Sequence, residues 1–209
     1  MLECMDQAIA ARGVAAIAVS GGATPVAMLR ELAAAAADWR RVHVFQVDER
    51  LVPDGDERRN IRLVRAAFAQ ADVPGINLHA ISAGSGTAEA VVDSYTRELR
   101  AIAGTPPVLD AVHLGLGEDG HTASLFPGDA AADAEGDVAP SGEHAGMRRI
   151  TLTLGTLNRA RARIWLVTGT RKRDVARRLL EPGSGLIANR VRTEDSVLVI
   201  DTDASAASP

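Results

Sequence analysis

The stretch Leu109–Gly128, LDAVHLGLGEDGHTASLFPG, decides how the rest of the chain is read. Ala111 to Leu114 is a short apolar run that reads as a buried strand, and it empties into three spaced glycines, Gly115, Gly117 and Gly120. Glu118, Asp119 and His121 sit in that turn, and a short helix is expected to begin after them, ahead of the Pro127-Gly128 stop. A permissive turn carrying two carboxylates and an imidazole at the carboxyl edge of a parallel sheet is where ligands bind. An imidazole there titrates near neutral pH and is the usual general acid or base. The plainer alternative is a tight turn whose glycines take φ > 0 and whose His caps the next helix. The same glycines satisfy the dinucleotide pattern G-x-G-x-x-G, but they fall mid-chain, and two carboxylates would repel a pyrophosphate at the helix start.

Outward from this stretch, strands and helices alternate. Leu2, Met5, Ile9 and Ala10 have helical spacing closed by Gly13, and Val14 to Val19 is a continuous apolar strand. Ser20-Gly21-Gly22-Ala23-Thr24-Pro25 then opens an Ala-rich helix expected over Val26–Ala37. Backbone N–H groups at such a helix start, with the Ser20 and Thr24 hydroxyls, could cradle an anion; the alternative is an ordinary turn with Thr24 as N-cap and Pro25 at N1. Arg41 to Val47 is the second strand and delivers Asp48-Glu49-Arg50 at its end. Residues two apart in extended chain face the same side, so Asp48 and Arg50 form either a site pair or a solvated ion pair. Helices are expected near Arg59–Gln70 and from a Thr87 cap to Ala103, with surface loops at Pro74-Gly75 and Ala83–Gly86. Asp129 to Met147 has the composition of an exposed excursion with a short helix. Strands follow at Arg149–Leu154, Arg163–Val167 and Ser196–Ile200, with a connector at Leu157–Ala160, a helix over Asp174–Leu180 stopped by Pro182-Gly183, and a frayed tail.

This order predicts an α/β fold, a mainly parallel, doubly wound, Rossmann-like sheet flanked by helices, in one domain over residues 1–209. With 46% hydrophobic and 24% charged residues the chain can bury a sizeable core. A net charge of −4 supplies no overall basic field for nucleic acid. No apolar run approaches the roughly 18 residues of a membrane span, and the N-terminus lacks the pattern of a signal peptide. Cys4 is the single cysteine, which excludes an internal disulfide and suits a reducing compartment. The expectation is a cytoplasmic protein with neither nucleic-acid nor membrane partners.

Four turns, SGGATP, DERLVP, GEDGH and TGTRK, each follow a candidate strand. If those strands are parallel, all four turns meet on one sheet edge and bring together a phosphate cradle, an Asp/Arg pair, a His with carboxylates and a basic helix start. That set suits acid–base chemistry on a small phosphorylated substrate.

These same residues carry a resemblance. Ser20–Pro25, Val47–Pro53, Gly115–Gly128 and Val167-Thr168-Gly169 with Lys172 are similar, in order and spacing, to the 6-phosphogluconolactonase family. The resemblance implies hydrolysis of 6-phospho-D-glucono-1,5-lactone to 6-phosphogluconate in the pentose phosphate pathway, with no metal and no nucleotide cofactor. It implies His121 as general base, Asp48 as the group orienting the His, the water or a sugar hydroxyl, and Arg50 as the stabiliser of negative charge. Ser20, Gly21, Gly22, Thr24 and Lys172 would hold the phosphate, with Arg171 and Arg173 flanking Lys172; Gly117, Asp119, Gly120 and Asn60 complete the substrate-binding set. Arg59 precedes Asn60 where a small Ser is usual. Family members carry a strand and the start of a helix ahead of the region matching residue 1, so the resemblance implies either a start placed too late or a chain that lacks this edge strand. A glucosamine-6-phosphate deaminase is the nearest alternative, but those enzymes follow their His with Ile-Ala-Phe-Asn-Glu-Pro, whereas His121 is followed by Thr-Ala-Ser-Leu-Phe-Pro. A non-catalytic sugar-phosphate-binding regulator would keep the cradle and lose the His or the Asp, and both are present. His43, His79, His113 and His144 are expected to be structural or solvated, and Trp39 and Trp165 to be packing residues.

Overall fold

Short apolar runs form the middle of the molecule and amphipathic segments cover them. A computed structural model of the chain describes residues 1–35, 37–73, 75–82, 86–181 and 183–205. The elements begin with α1 (Leu2–Arg12), β1 (Ala15–Val19), α2 (Val26–Ala34), β2 (Val42–Gln46), β3 (Asp48–Arg50) and α3 (Asn60–Gln70). They continue with β4 (Asn77–His79), α4 (Ala88–Ala103), β5 (Ala111–Leu114), β6 (Val138–His144), β7 (Met147–Leu152) and α5 (Leu154–Arg159). The last are β8 (Arg163–Val167), α6 (Arg173–Leu179), β9 (Ser196–Ile200) and α7 (Thr202–Ser205).

Six strands make a parallel sheet in the order β4-β2-β1-β5-β8-β9. Burial on both faces is the reason its central strands are continuously apolar. Ala15, Ile17 and Val19 of β1 pack with Met5 of α1, Leu29 of α2 and Val64 of α3. Ala16 and Ala18 turn to the other face, where Tyr95 and Leu99 of α4 and Val175 of α6 lie. The sheet is therefore doubly wound, as expected. From β1 the chain builds outward through β2 and β4, then returns to the other side of β1 with β5 and continues to β8 and β9. The boundary between β1 and β5 is thus the topological switch point, where an open α/β sheet has its crevice.

Local signals behave as read at several termini. Gly13 closes α1 with φ 80°, its N–H donating to Ile9 O at 2.8 Å. Thr87 caps α4, its hydroxyl accepting from Ala90 N at 3.3 Å. Elsewhere the structure differs. Asp48-Glu49-Arg50 does not end the second strand but forms β3 of a separate antiparallel sheet, β3-β7-β6. The excursion expected after Asp129 is a 3-10 turn, Ala130–Asp133, followed by β6, whose Val138, Ala139 and Ser141 are buried. Its polar composition is absorbed by partners: Asp137 pairs with Arg100 and Arg159, and Asp129 accepts from Ser141 Oγ at 3.0 Å. Paired charges make polar sequence compatible with burial, which composition cannot report.

No helix follows His121. Ala123 has φ 53° and Thr122 bridges to Leu125 in a tight turn, so the expected helix, and with it a capping role for His121, is absent. Helix α2 stops at Ala34 because Ala35 is extended, and Pro25, not Thr24, occupies its N-cap position without a side-chain bond. The short strand β4 lies between two loops that the sequence marked, and the tail expected to fray forms α7, with Asp201 accepting from Ala204 N at 2.8 Å. The readings at Pro74, Ala83-Gly84-Ser85 and Pro182, the end of the tail and Ala36 lie outside the described residues.

Candidate active site

Because β1, β2, β5 and β8 are parallel neighbours, the turns that follow them converge on one edge. The cleft there is lined by Ser20–Pro25, Asp48, Arg50, Asn60, Gly115–Gly117, His121, Arg149 and Lys172.

His121 is fixed by its own turn. Its Nδ1 lies 2.5 Å from Asp119 Oδ1, and the same oxygen accepts the His121 backbone N–H at 3.1 Å. Gly117 N donates to His121 O at 2.8 Å to close the loop. A Cβ at Gly117 would stand 2.0 Å from Nδ1, so only glycine permits this approach. The turn is also anchored from outside, by Ala188 N donating to Gly120 O at 3.1 Å. Burial pushes the imidazole pKa down, and Asp119 pulls it partly back, leaving it below its ordinary 6.5. Burial opposes the charge on Asp119, but the bonds from His121 outweigh it and hold that carboxyl below its ordinary value. The imidazole is therefore neutral near pH 7, and with its Nδ1 on a carboxylate its Nε2 is the nitrogen left to accept a proton.

Asp48 is buried and held from two sides. Ser124 Oγ donates to its Oδ2 at 2.5 Å and Asn60 Nδ2 to its Oδ1 at 3.3 Å. Burial pushes its pKa up, opposed by the Ser124 bond and by Arg50 and Arg149. Glu49 points the other way and serves the frame. Its carboxylate accepts from Asn60 N at 2.7 Å, Ile61 N at 2.9 Å, Arg50 N at 2.8 Å and Gln46 Nε2 at 2.9 Å. It thereby caps α3, whose N-cap residue Arg59 has no capping side chain. Arg59 instead lies buried between Glu49 and Asp54 and donates to Ile81 O.

The glycine turn after β1 approaches Asn60 so closely that a Cβ at Gly21 would meet Asn60 Cβ at 2.4 Å. Ser20 Oγ is spent on His113 O at 3.0 Å, tying β1 to β5, rather than being offered to the cleft. Lys172 reaches the cleft from the turn after β8. Its neighbours point elsewhere: Arg171 pairs with Glu118 at 3.3 Å, and Arg173 donates to Asp203 O at 3.1 Å. Among the described residues no group of three or more His, Cys, Asp or Glu is arranged to hold a metal ion.

Residues 1–199 match the family model of glucosamine-6-phosphate isomerases/6-phosphogluconolactonase. The chain belongs to this family. Among its relatives, the 6-phosphogluconolactonase of Synechocystis sp. is 38% identical over 183 residues, 85% of this chain and 76% of that protein. The 6-phosphogluconolactonase of Mycobacterium tuberculosis is 35% identical over 225 aligned positions, covering 100% of this chain and 91% of the relative. The crystal structure of the Thermotoga maritima 6-phosphogluconolactonase superposes with a TM-score of 0.83 at 27% identity, over 95% of this chain and 89% of that one. A Shewanella baltica 6-phosphogluconolactonase gives 0.82 at 29%, over 95% and 88%.

Of the residues that the resemblance to this family singled out, His121, Asp48, Arg50, Ser20, Gly21, Gly22, Thr24, Lys172, Asn60 and Gly117 all line the cleft. Asp119 and Gly120 stand behind it, shaping the His121 turn. The imidazole's partner is Asp119 and not Asp48. Sequence reasoning missed Ser124, Glu49 and Arg149. Ser124 and Glu49 stood inside quoted motifs but carried no chemistry of their own; Arg149 lay in an apolar strand far along the chain, without a signal. His144, read as structural or solvated, is exposed and stacks on Phe126 with ring centroids 3.8 Å apart.

Proposed function

We propose that this chain hydrolyses 6-phospho-D-glucono-1,5-lactone to 6-phospho-D-gluconate, the lactone-opening step of the pentose phosphate pathway. The observation that carries the reading is the His121–Asp119 pair in a cleft that also holds the glycine turn, Lys172 and Arg50. In this scheme His121 Nε2 takes a proton from water as the water oxygen bonds to the lactone carbonyl carbon. Arg50 stabilises the charge that develops on the carbonyl oxygen. When the intermediate collapses, the bond from that carbon to the ring oxygen breaks, and His121 returns its proton to the departing oxygen. Asp48, held by Ser124 and Asn60, is an acceptor for a substrate hydroxyl or the attacking water. Backbone N–H groups at Gly21 and Gly22, with Thr24 and Lys172, bind the 6-phosphate.

Relatives that carry the name 6-phosphogluconolactonase support this over the deaminase branch of the same family. So does the lining of the cleft, which contains no glutamate among the described residues. An unpaired Cys4, and no helix among the described residues long and apolar enough to cross a membrane, suit work in the cytoplasm. The deciding experiment measures 6-phosphogluconolactone hydrolysis above its spontaneous rate beside deamination of glucosamine 6-phosphate. Acceleration of the first alone is the expected result; deamination without lactone hydrolysis would reverse the assignment.

A further inference from the structure

The cleft holds a cation outside every motif of the sequence. Arg149 of β7 lies directly across the antiparallel β3–β7 ladder from Arg50. Residues opposite one another send their side chains to the same face, and both arginines line the cleft. Arg149 is only 8% exposed. Its guanidinium carbon stands 5.3 Å from the centre of the Phe126 ring, which packs against the His121 imidazole at 4.4 Å between centroids. Arg149 is therefore one aromatic ring away from the base.

Two features mark this corner as a binding site and not a packing detail. First, Nε of Arg50 and Nε of Arg149 are both buried without a hydrogen-bond partner. A buried, unpaired donor on a charged group is among the costlier defects a fold carries, and its persistence points to a partner that arrives later. Second, the local charge does not balance. Two guanidiniums face one carboxylate, Asp48, whose oxygens already accept from Ser124 and Asn60, while Glu49 is saturated by the frame of α3. Like charges opposite each other in a ladder repel, so the corner is relieved by one further anionic oxygen group. On the lactonase reading the phosphate has its own holders, Lys172 and the backbone N–H groups of the glycine turn, which leaves the arginine pair for another anionic oxygen group.

We propose that Arg149 is a catalytic residue which, together with Arg50, holds the reacting oxygen: the oxyanion of the tetrahedral intermediate, then the carboxylate of the product. As the water oxygen bonds to the carbonyl carbon, the carbonyl π pair moves onto the oxygen facing the two guanidiniums. Collapse restores that double bond and breaks the bond to the ring oxygen, which takes the proton from His121. The carboxylic acid so formed releases its own proton to solvent and remains between two cations. Two planar forks suit a carboxylate better than one.

This inference rests on the lactonase reading, and the test keeps the two apart. Arg149→Met removes the charge and keeps the aliphatic stem in β7. The expected result is a kcat at least about tenfold lower on the phosphorylated lactone with KM within about threefold, because charge on the oxygen grows only toward the transition state. By calorimetry, 6-phosphogluconate should bind at least about tenfold more weakly to the variant. Glucitol 6-phosphate, which has a hydroxymethyl group in place of the carboxylate, should change by less than about twofold. Equal weakening of both ligands, or a kcat within about twofold of the parent, overturns the proposal. Should Arg149→Met not fold, Arg149→Lys carries the same comparison, with a selective loss for the carboxylate ligand of at least about threefold expected. A wild-type protein that leaves lactone hydrolysis at the spontaneous rate sinks the functional reading, and the proposal with it. An active wild type with an indifferent Arg149 sinks only the proposal.

Discussion

At the scale of single residues, the pair His121–Asp119 governs the expected behaviour. Burial holds the imidazole pKa below 6.5 and Asp119 partly restores it. A base works in its neutral form, so kcat/KM should rise with pH through an apparent pKa below 6.5 and level off by neutrality. His121→Ala should lower kcat by roughly 10²–10⁴ with little change in substrate binding, the loss expected for a general base. Activity within a few-fold of the parent would move the base elsewhere. Asp119→Ala removes the bond and charge that raise the imidazole, so the acid limb of its pH profile should move to still lower pH while kcat falls. An unmoved limb would detach Asp119 from the base. His121 was legible in the sequence because GEDGH concentrates chemistry in five residues. Its partner was not, because Asp48 and Asp119 are equally plausible carboxylates until the turn is folded and only Asp119 is within 2.5 Å.

At the scale of elements, two connections carry the site. The junction of β3 with α3 depends on Glu49, which is fully buried and accepts four hydrogen bonds of 2.7–2.9 Å. Glu49→Ala strands those donors and leaves buried Arg59 with Asp54 as its one remaining carboxylate, so a loss of about 3–5 kcal/mol in urea unfolding is expected, the range for breaking a buried pair. A melting temperature equal to the parent's would reduce Glu49 to a bystander. The turn from β8 to α6 brings Lys172 to the cleft. A phosphate contact is nearly the same in ground and transition states, so Lys172→Ala should chiefly raise KM for the phosphorylated lactone. Unphosphorylated gluconolactone should be turned over almost as before; if both lactones suffer alike, Lys172 is structural. Apolar runs and turn residues made β1, β2, β5 and β8 readable, since a strand buried on both faces is written in consecutive residues. Strand β6 was hidden because its Pro, Ser, Gly and Glu belong to a partner-dependent edge, secured by β7 and by the ion pairs of Asp137.

At the scale of the whole molecule, the crevice lies where the winding of the sheet reverses, between β1 and β5, and His113 lies beneath it. This imidazole is 1% exposed; its Nδ1 accepts from Ser20 N at 3.3 Å, and burial lowers its pKa to about 4. Below its ordinary 6.5 the unfolded chain takes up a proton that the folded chain refuses, so stability is full above 6.5 and declines as pH falls toward about 4. The shift corresponds to about 3 kcal/mol, and His121 and His43, also lowered by burial, act in the same direction. Urea unfolding from about pH 7.5 to pH 4.5 should show this decline, and His113→Asn, which keeps an acceptor for Ser20 N, should remove most of its part. An equally steep decline in the variant would place the proton uptake elsewhere. The amino-acid sequence alone determined the α/β class, the parallel order of strand and turn, and the gathering of His121, the glycine turn and Lys172 on one edge. Each of those follows from the periodicity of neighbouring residues and from the rule that parallel strands share an end. Only the tertiary structure decided that Asp119 holds the imidazole, that Ser124 and Asn60 hold Asp48, that Glu49 caps α3, and that Arg149 enters the cleft opposite Arg50. Most of these contacts join residues distant along the chain, and even the Asp119 pairing exists only once its turn has closed, so each is settled by which side chains folding brings within hydrogen-bond reach.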